Sequence, residues 1–208
     1  MKAAYDCNHP VDIANEPRHH LVFGNEFVRA FAIEIAPGDR TLCHRHSHDY
    51  MLYVAGEGEV VSAARDEEPK RLSYSDGECE LLDAGLVHVV ENLGDKPFRN
   101  VVVELLDAAR GLGQGRDPVM VGGDSGVERL LKEDRARIFR AQLESRAQIV
   151  FYGPAIIAAP YGGRLTSDML QGAEIHSHKV CDLAWVPQGP SPATLRSQDP
   201  VTLVIFSF

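Results

Sequence analysis

The 208-residue sequence lacks an excess of positive charge, because its 21 Lys and Arg residues face 30 Asp and Glu residues, a formal net charge of −9. Nucleic-acid-binding proteins concentrate Lys and Arg on the surface that meets the phosphates. The sequence also lacks a basic amphipathic stretch and any apolar run approaching the roughly 18 residues of a membrane-spanning helix. We therefore expect neither a nucleic-acid partner nor a membrane partner.

Other familiar signals are missing as well. No Cys-x-x-Cys pair occurs, and the wide spacing of Cys7, Cys43, Cys79 and Cys181 predicts reduced thiols rather than a disulfide framework. Residues 1–20 lack the apolar core of a signal peptide, so we expect a cytoplasmic protein. There is no Gly-x-Ser-x-Gly motif, no phosphate-binding loop and no dinucleotide fingerprint. The sequence therefore gives no support for catalysis by a nucleophilic serine, for a nucleotide-phosphate site or for a dinucleotide cofactor.

The sequence does contain many short apolar or alternating segments separated by Gly, Pro and Asp, which is the pattern of β-strands. They cover residues 27–38, 51–64, 79–85, 99–106 and 201–208. The window 127–143 is the exception, since Val127, Leu130, Leu131 and Ile138 fit a helix loosely. Many short strands with turn signals predict a β-barrel or sandwich.

The two halves of the chain resemble each other at matching intervals, which predicts a duplicated β-domain. With a shift of 104 residues, Gly85 falls on Gly189 and Asp95 on Asp199, and with a shift of 105 the segment YMLYVAGEG falls on AIIAAPYGG. The glycine-rich stretch 111–126 between the halves predicts a linker.

His44 and His46 alternate along a predicted strand, where residues i and i+2 share a face. Two imidazoles on one face could bind one ion at about 2.0–2.2 Å from each nitrogen. A pair of histidines alone equally suits a charged edge strand or a run of surface residues.

The wider pattern favours a metal site. Five residues separate Gly38 from the His44-x-His46 pair, as in the motif Gly-x5-His-x-His-x3/4-Glu-x6-Gly. A second motif, Gly-x5-Pro-x-Gly-x2-His-x3-Asn, is matched at every spacing, with Asp83 in place of the proline, by Gly77, Gly85, His88 and Asn92. With these two motifs the sequence resembles the cupin superfamily over residues 27–106 and, more weakly, over 134–208.

The resemblance implies an all-β double-stranded β-helix, the cupin jelly-roll barrel, in two tandem repeats. Residues 1–110 would form a metal-binding barrel, 111–126 a linker and 127–208 a degenerate barrel. It also implies that His44, His46 and His88 bind one divalent metal ion. The alternative is a metal-free barrel with hydrogen-bonded histidines, since an unpaired buried polar group costs about 1–3 kcal/mol.

The cupin glutamate ligand is missing from this chain. The match of YMLYV to the usual Glu-x-Leu-Tyr-Val puts Tyr50 in its place, whereas counting back from Gly58 puts Met51 there. Tyr50 could bind the metal as phenolate, hydrogen-bond a metal-bound water, or narrow the pocket. We treat it as the candidate catalytic residue.

Several histidines are not expected to bind this metal. His48 and Asp49 are placed at a turn, His176 and His178 in a solvated or hydrogen-bonded pair, and His9, His19 and His20 on the surface. In the second repeat the ligand positions correspond to Ile149, Phe151, Ala155 and Pro192, so we expect a barrel filled by its own side chains.

For function, the resemblance favours a metal-dependent dioxygenase, an oxidoreductase of the non-haem-iron type that acts on a small molecule. A non-catalytic module that binds metal or a small ligand is the first alternative, and a metal-dependent isomerase or lyase is the second. Iron is expected for an oxygenase, while Zn, Ni, Mn and Cu also suit imidazole ligands. We expect a homodimer, with a monomer as the alternative.

Overall fold

The computed structural model describes residues 5, 7–109, 112, 117–121, 126–144, 146–161, 166–167, 174–187, 191–196 and 199–208. In these residues the regular structure is β, apart from two single 3-10 turns at Ile13–Asn15 and Asp107–Ala109. None of the described residues forms a helix long and apolar enough to cross a membrane.

The first ten strands form two five-stranded sheets, in the orders β1-β4-β9-β6-β7 and β2-β3-β10-β5-β8. Their bounds are β1 Val11–Asp12, β2 His19–Gly24, β3 Val28–Ile35, β4 His44–Arg45, β5 Asp49–Ala55, β6 Gly58–Ala64, β7 Lys70–Tyr74, β8 Cys79–Leu82, β9 Val87–Asn92 and β10 Phe98–Leu105.

The next ten strands repeat this arrangement, in sheets of the orders β11-β14-β19-β16 and β12-β13-β20-β15-β18-β17. Their bounds are β11 Val119–Val121, β12 Val127–Glu133, β13 Ala136–Leu143, β14 Arg146–Phe151, β15 Ala155–Ala159, β16 Thr166–Ser167, β17 Glu174–His176, β18 Asp182–Val186, β19 Ser191–Arg196 and β20 Val201–Ser207.

Adding ten to the strand numbers of the first pair of sheets reproduces the second pair, except that β17 pairs with β18 whereas β7 pairs with β6. Two stretches of chain that build sheets in the same order have the same fold. The predicted all-β cupin jelly roll in two tandem repeats is therefore confirmed.

The chain divides into two compact units that are not continuous in sequence. Unit 1 contains Met1–Leu21 and Phe31–Glu104, and unit 2 contains Val22–Ala30 and Leu105–Phe208. The predicted boundary region 111–126 contains β11, and its residues 111, 113–116 and 122–125 lie outside those that the structure describes.

Each unit has its own apolar core, because alternate residues of each strand point inward. In unit 1 the core includes Ile13, Phe31, Ile33, Ile35, Val54 and Val102. In unit 2 the core includes Ile149, Phe151 and Ala155, which the sequence comparison matches to the predicted site residues of the first repeat. The register places Ala193, not the expected Pro192, opposite Ile149, as His88 is opposite His44.

The segment Val22–Ala30 is held in unit 2 by aromatic contacts. The rings of Phe23 and Phe27 stack on Trp185 at centroid distances of 5.6 and 6.1 Å, and Trp185 in turn stacks on Phe208 at 6.1 Å. Offset aromatic pairs of this kind each add about 0.5–1.5 kcal/mol beyond their buried area.

The helix predicted from the window 127–143 is wrong. The window forms β12 and β13, an antiparallel pair whose register shifts between Arg129 and Leu131. Such a bulge shifts the side-chain alternation by one residue. Around the bulge Leu130 and Leu131 are both half-buried although they are consecutive. Two consecutive apolar residues fit a helical pattern better than an alternating one.

The prediction of four reduced thiols is correct for Cys79 and Cys181 and wrong for Cys7 and Cys43, which form a disulfide with a Cα–Cα distance of 5.2 Å. The two cysteines meet because β1 pairs in parallel with β4, with Val11 opposite His44. This pairing joins segments distant in sequence, so cysteine spacing alone could not predict it.

Candidate metal centre

Four buried histidine side chains converge inside unit 1. His44 and His46 come from β4 and the residues after it, and His88 lies on β9 directly opposite His44. Ring centroids are 5.2 Å apart for His44 and His46, 4.6 Å for His44 and His88, and 5.3 Å for His46 and His88. The three predicted ligand residues are thus brought together.

The fourth histidine is His19, whose predicted exposure is wrong. It begins β2, is buried, and its ring centroid lies 4.5 Å from that of His44 and 6.3 Å from that of His46. One ligand atom from each of His19, His44 and His46 lies within 4.8 Å of the others. The first unit therefore contains a three-histidine cluster of the size that one metal ion needs, with His88 beside it.

The distance between two ring nitrogens fits a shared ion. Nε2 of His88 lies 3.1 Å from Nε2 of His44. Two nitrogens each about 2.0–2.1 Å from one ion are about 2.8–3.4 Å apart when the angle at the ion is between octahedral and tetrahedral values. Without an ion, one of the two nitrogens must carry a proton and donate it to the other.

The outer nitrogens of these rings determine which tautomer each can adopt. Nδ1 of His44 donates to the carbonyl oxygen of Leu42 at 3.0 Å, so its Nε2 keeps a lone pair. Nδ1 of His88 lies 3.2 Å from the Ser62 hydroxyl, which can donate or accept. His88 can therefore turn its Nε2 proton or its Nε2 lone pair toward His44, and the latter is the form that binds metal.

Burial disfavours protonation of His44 and His88, and a metal-binding imidazole must be unprotonated at its ligating nitrogen. Burial, followed by the charge of His19, lowers the pKa of His44 to about 4. Burial, followed by the neighbouring His44 and His19, places the pKa of His88 well below its ordinary value.

Glu16 is the charged group next to this cluster. Its buried carboxylate accepts a hydrogen bond from Nδ1 of His19 at 2.7 Å, and backbone amides of Arg18 and Leu42 donate to it at 2.7 and 3.1 Å. Burial alone would raise the pKa of Glu16, but the contacts with His19 and the two backbone amides outweigh it and lower that pKa to about 2. Glu16 is thus an anion.

Tyr50, rather than Met51, points into the site. The Tyr50 ring stacks on that of His46, with centroids 4.0 Å apart and an interplanar angle of 20°, and Tyr50 lines the cavity described next. Burial, then the nearby Tyr74, Glu80 and Glu104, raises the pKa of Tyr50. A neutral phenol consequently stands where cupins have a carboxylate.

His19, His46 and His88 line a cavity of about 310 Å³ inside unit 1. Most of its lining is apolar and includes Ile33, Ile35, Leu52, Val60, Leu72, Leu82, Leu86, Val90, Phe98 and Val102. Polar groups come from Ser62, Ser73, Tyr74 and Asn100, and negative charge from Glu78 and Glu80, while no described lining residue is Lys or Arg. A mainly apolar cavity with a few polar groups suits a small organic molecule.

The other histidines that were not expected to bind this metal lie outside the cluster of His19, His44, His46 and His88. His48 is half-buried at a bend, whereas Asp49, also predicted at a turn, begins β5 and accepts a hydrogen bond from the Ala84 amide at 2.8 Å. His9 is exposed and His20 half-buried. Nδ1 of His178 accepts from the Val180 amide at 3.2 Å.

The sequence patterns missed His19 and Glu16. β2 shows no clean alternation, since Leu21 is exposed between the buried His19 and Phe23. The only hint was a Glu-x-x-His spacing, which is too common to indicate a site by itself.

Comparisons with known proteins agree with the observed fold. A family model described as a cupin domain matches residues 31–104. The vicilin from Solanum melongena has a TM-score of 0.59 and 12% identity, over 92% of this chain and 82% of that chain. A salicylate 1,2-dioxygenase from Pseudoaminobacter salicylatoxidans, in adducts with gentisate, has a TM-score of 0.55 and 14% identity, over 96% and 75%. At such identities the two structures show the fold alone, and curated proteins yield no match.

Proposed function

Because the chain belongs to the cupin superfamily, through its domain at residues 31–104, we propose that it is a metal-dependent dioxygenase acting on a small molecule. In this proposal His44, His46 and His88 bind one divalent ion, and Tyr50 orients the substrate. Iron is the expected metal, and Zn, Ni, Mn or Cu are the alternatives that imidazole nitrogens accept.

The observation that carries the proposal is the 3.1 Å separation of Nε2 of His44 from Nε2 of His88 at the wall of an organic-sized cavity. His44 and His88 would hold the ion through these nitrogens, which without an ion can share only a single hydrogen bond. The carbonyl of Leu42 holds His44 in the required tautomer, and the hydroxyl of Ser62 can accept from Nδ1 of His88 and so permits the required tautomer there.

When bound, the metal would supply Lewis acidity and a common binding point for substrate and dioxygen. The protein contributes the rest. The apolar walls exclude water, and the Tyr50 ring fixes the plane of His46 by stacking on it. The Tyr50 hydroxyl, which burial keeps protonated, can donate a hydrogen bond to a substrate oxygen and thereby orient it.

A binding protein without turnover is the second candidate. It is favoured by the neutral Tyr50, which supplies neither a carboxylate ligand nor a base at neutral pH.

An isomerase or lyase requires a proton acceptor, and Glu80, half-buried in the cavity wall, is the group that could serve.

Metal analysis of protein purified without chelators tests the proposal, followed by oxygen uptake with small thiols, β-diketones and phenols. We expect about one iron per chain, loss of the metal in His88→Ala, and oxygen uptake with at least one compound class. The exposed His9→Ala variant is the matched control and should keep its metal. Full metal content in His88→Ala would show that the assigned third ligand is wrong. A bound metal with no oxygen uptake would favour the binding protein.

Location and assembly stay predictions. Disulfides persist mainly outside reducing compartments, so the Cys7–Cys43 bond counts against the cytoplasmic location expected from the sequence. Alkylation of thiols in freshly lysed source cells would show whether Cys7 is reduced. Light scattering would test the expected homodimer.

A further inference from the structure

We propose that His19 is a fourth nitrogen ligand of the metal and that Glu16 is the missing carboxylate of the site, displaced outward by one imidazole. The inference rests on the metal site proposed above. It concerns two residues that lie before the matched cupin domain at 31–104 and outside both cupin sequence motifs.

The position of His19 supports a ligand role. Its ring is as close to that of His44 as the His88 ring is, at 4.5 against 4.6 Å, and it lines the same cavity. Nδ1 is held by Glu16 at 2.7 Å. Because a carboxylate only accepts, Nδ1 carries a proton, and in the neutral imidazole Nε2 then has the lone pair that a metal needs.

Glu16 also connects His19 to the ligand strand β4. The amide of Leu42 donates to one carboxylate oxygen of Glu16 at 3.1 Å, and the carbonyl of Leu42 accepts from Nδ1 of His44 at 3.0 Å. One buried carboxylate thus orients His19 directly and His44 through a single residue. Glu16 is a positioning residue, since it contacts the ligands and not the metal.

Glu16 provides a carboxylate next to a site that lacks the cupin glutamate ligand. Tyr50 stands at that place and offers no carboxylate, so the proposed ligands are imidazoles alone. A carboxylate hydrogen-bonded to a ligating imidazole raises the basicity of that imidazole, and loss of such a partner weakens metal binding by about 10–100-fold. Glu16 would act on His19 in this way through its Oε2, while its Oε1 lies 3.4 Å from Nη1 of Arg18.

Metal binding and spectroscopy of the full chain test this inference. We would load wild type, His19→Ala, Glu16→Gln and the control His9→Ala with Cu²⁺. Nitrogen ligands would be counted from EPR hyperfine splitting, and Kd measured by chelator competition. We expect His19→Ala to lose one nitrogen and regain it with added imidazole. Glu16→Gln should keep the nitrogen count but bind about 10–100-fold more weakly.

The outcomes separate the two proposals. If His88→Ala loses metal but His19→Ala keeps the wild-type nitrogen count and Kd, only the role of His19 is overturned. If Glu16→Gln binds as tightly as wild type, the role of Glu16 is overturned. If wild type binds no metal, both proposals fall. Should His19→Ala not fold, as judged by circular dichroism, His19→Gln offers no imidazole nitrogen and carries the same expectation.

Discussion

The metal-free protein should lose stability as the pH falls from 7 to 5, because the buried imidazole of His44 resists protonation. The pKa of His44 is lowered, chiefly by burial, from 6.5 to about 4. In the unfolded chain the imidazole takes up a proton near pH 6.5, so below that pH the unfolded state binds more protons than the folded state. The free energy of unfolding therefore decreases with falling pH until the folded state also protonates, near pH 4.

The size of the effect follows from the two pKa values. Each pKa unit corresponds to about 1.36 kcal/mol, and between pH 7 and pH 5 the linkage relation gives a loss of about 2 kcal/mol from His44 alone. His88, whose pKa burial also lowers, adds a loss of the same sign. Bound metal should enlarge the dependence, because protons compete with the ion for the same nitrogens.

Urea denaturation of chelator-treated protein at several pH values from 7 to 5 measures this loss, with His44→Gln as the matched control. Circular dichroism is the suitable signal, since the single tryptophan, Trp185, belongs to unit 2 whereas His44 belongs to unit 1. Wild type should lose about 2 kcal/mol more than His44→Gln over this range. Equal losses in the two proteins would refute the argument that a buried neutral imidazole is responsible.

Three further predictions follow from particular contacts. The Cys7–Cys43 bond spans 36 residues, so Cys7→Ser should lower the free energy of unfolding by about 4 kcal/mol, and a reductant should lower the Tm of wild type but not of the variant. A β-carbon at Gly58 would clash with the Phe98 ring, so Gly58→Ala should cost about 1–3 kcal/mol in denaturant titrations, and an unchanged midpoint would contradict this packing. Glu80 lies at a cavity whose described lining contains no Lys or Arg. The metal-loaded protein should therefore bind dopamine about fivefold more tightly than 3,4-dihydroxyphenylacetate, and Glu80→Gln should reduce the difference, since Glu78 remains. A preference for the carboxylate would refute that last expectation.

The parts of the structure that the sequence predicts are those encoded by local spacing. Alternation along strands and the repeated turn glycines predict both β-halves, and the two motif spacings select the His44, His46 and His88 that converge. The side chain that departs from the cupin pattern, Tyr50, could also be located, because it lies in register with a recognisable strand.

The missed features depend on where the N-terminal residues run. The pairing of β1 with β4 joins segments more than thirty residues apart. It brings Cys7 to Cys43, and it carries the chain that contains Glu16 and His19 past the residues that precede His44. No periodicity encodes such a pairing, since β1 has only two residues and the glutamate contacts are single hydrogen bonds. The bulge near Leu131 caused the wrong helix prediction for residues 127–143, because it disturbs the alternation that would otherwise indicate a strand.

The membership of Val22–Ala30 in unit 2 has a practical consequence for anyone who divides this gene. A clone that begins at residue 105 would encode most of unit 2 but omit Phe23 and Phe27. Trp185 would then lack two of its stacking partners. A clone that ends at residue 104 would carry those two phenylalanines without the tryptophan they cover. Either half-gene would thus produce a polypeptide with uncovered aromatic surface, and its insolubility would say nothing about whether the intact half can fold.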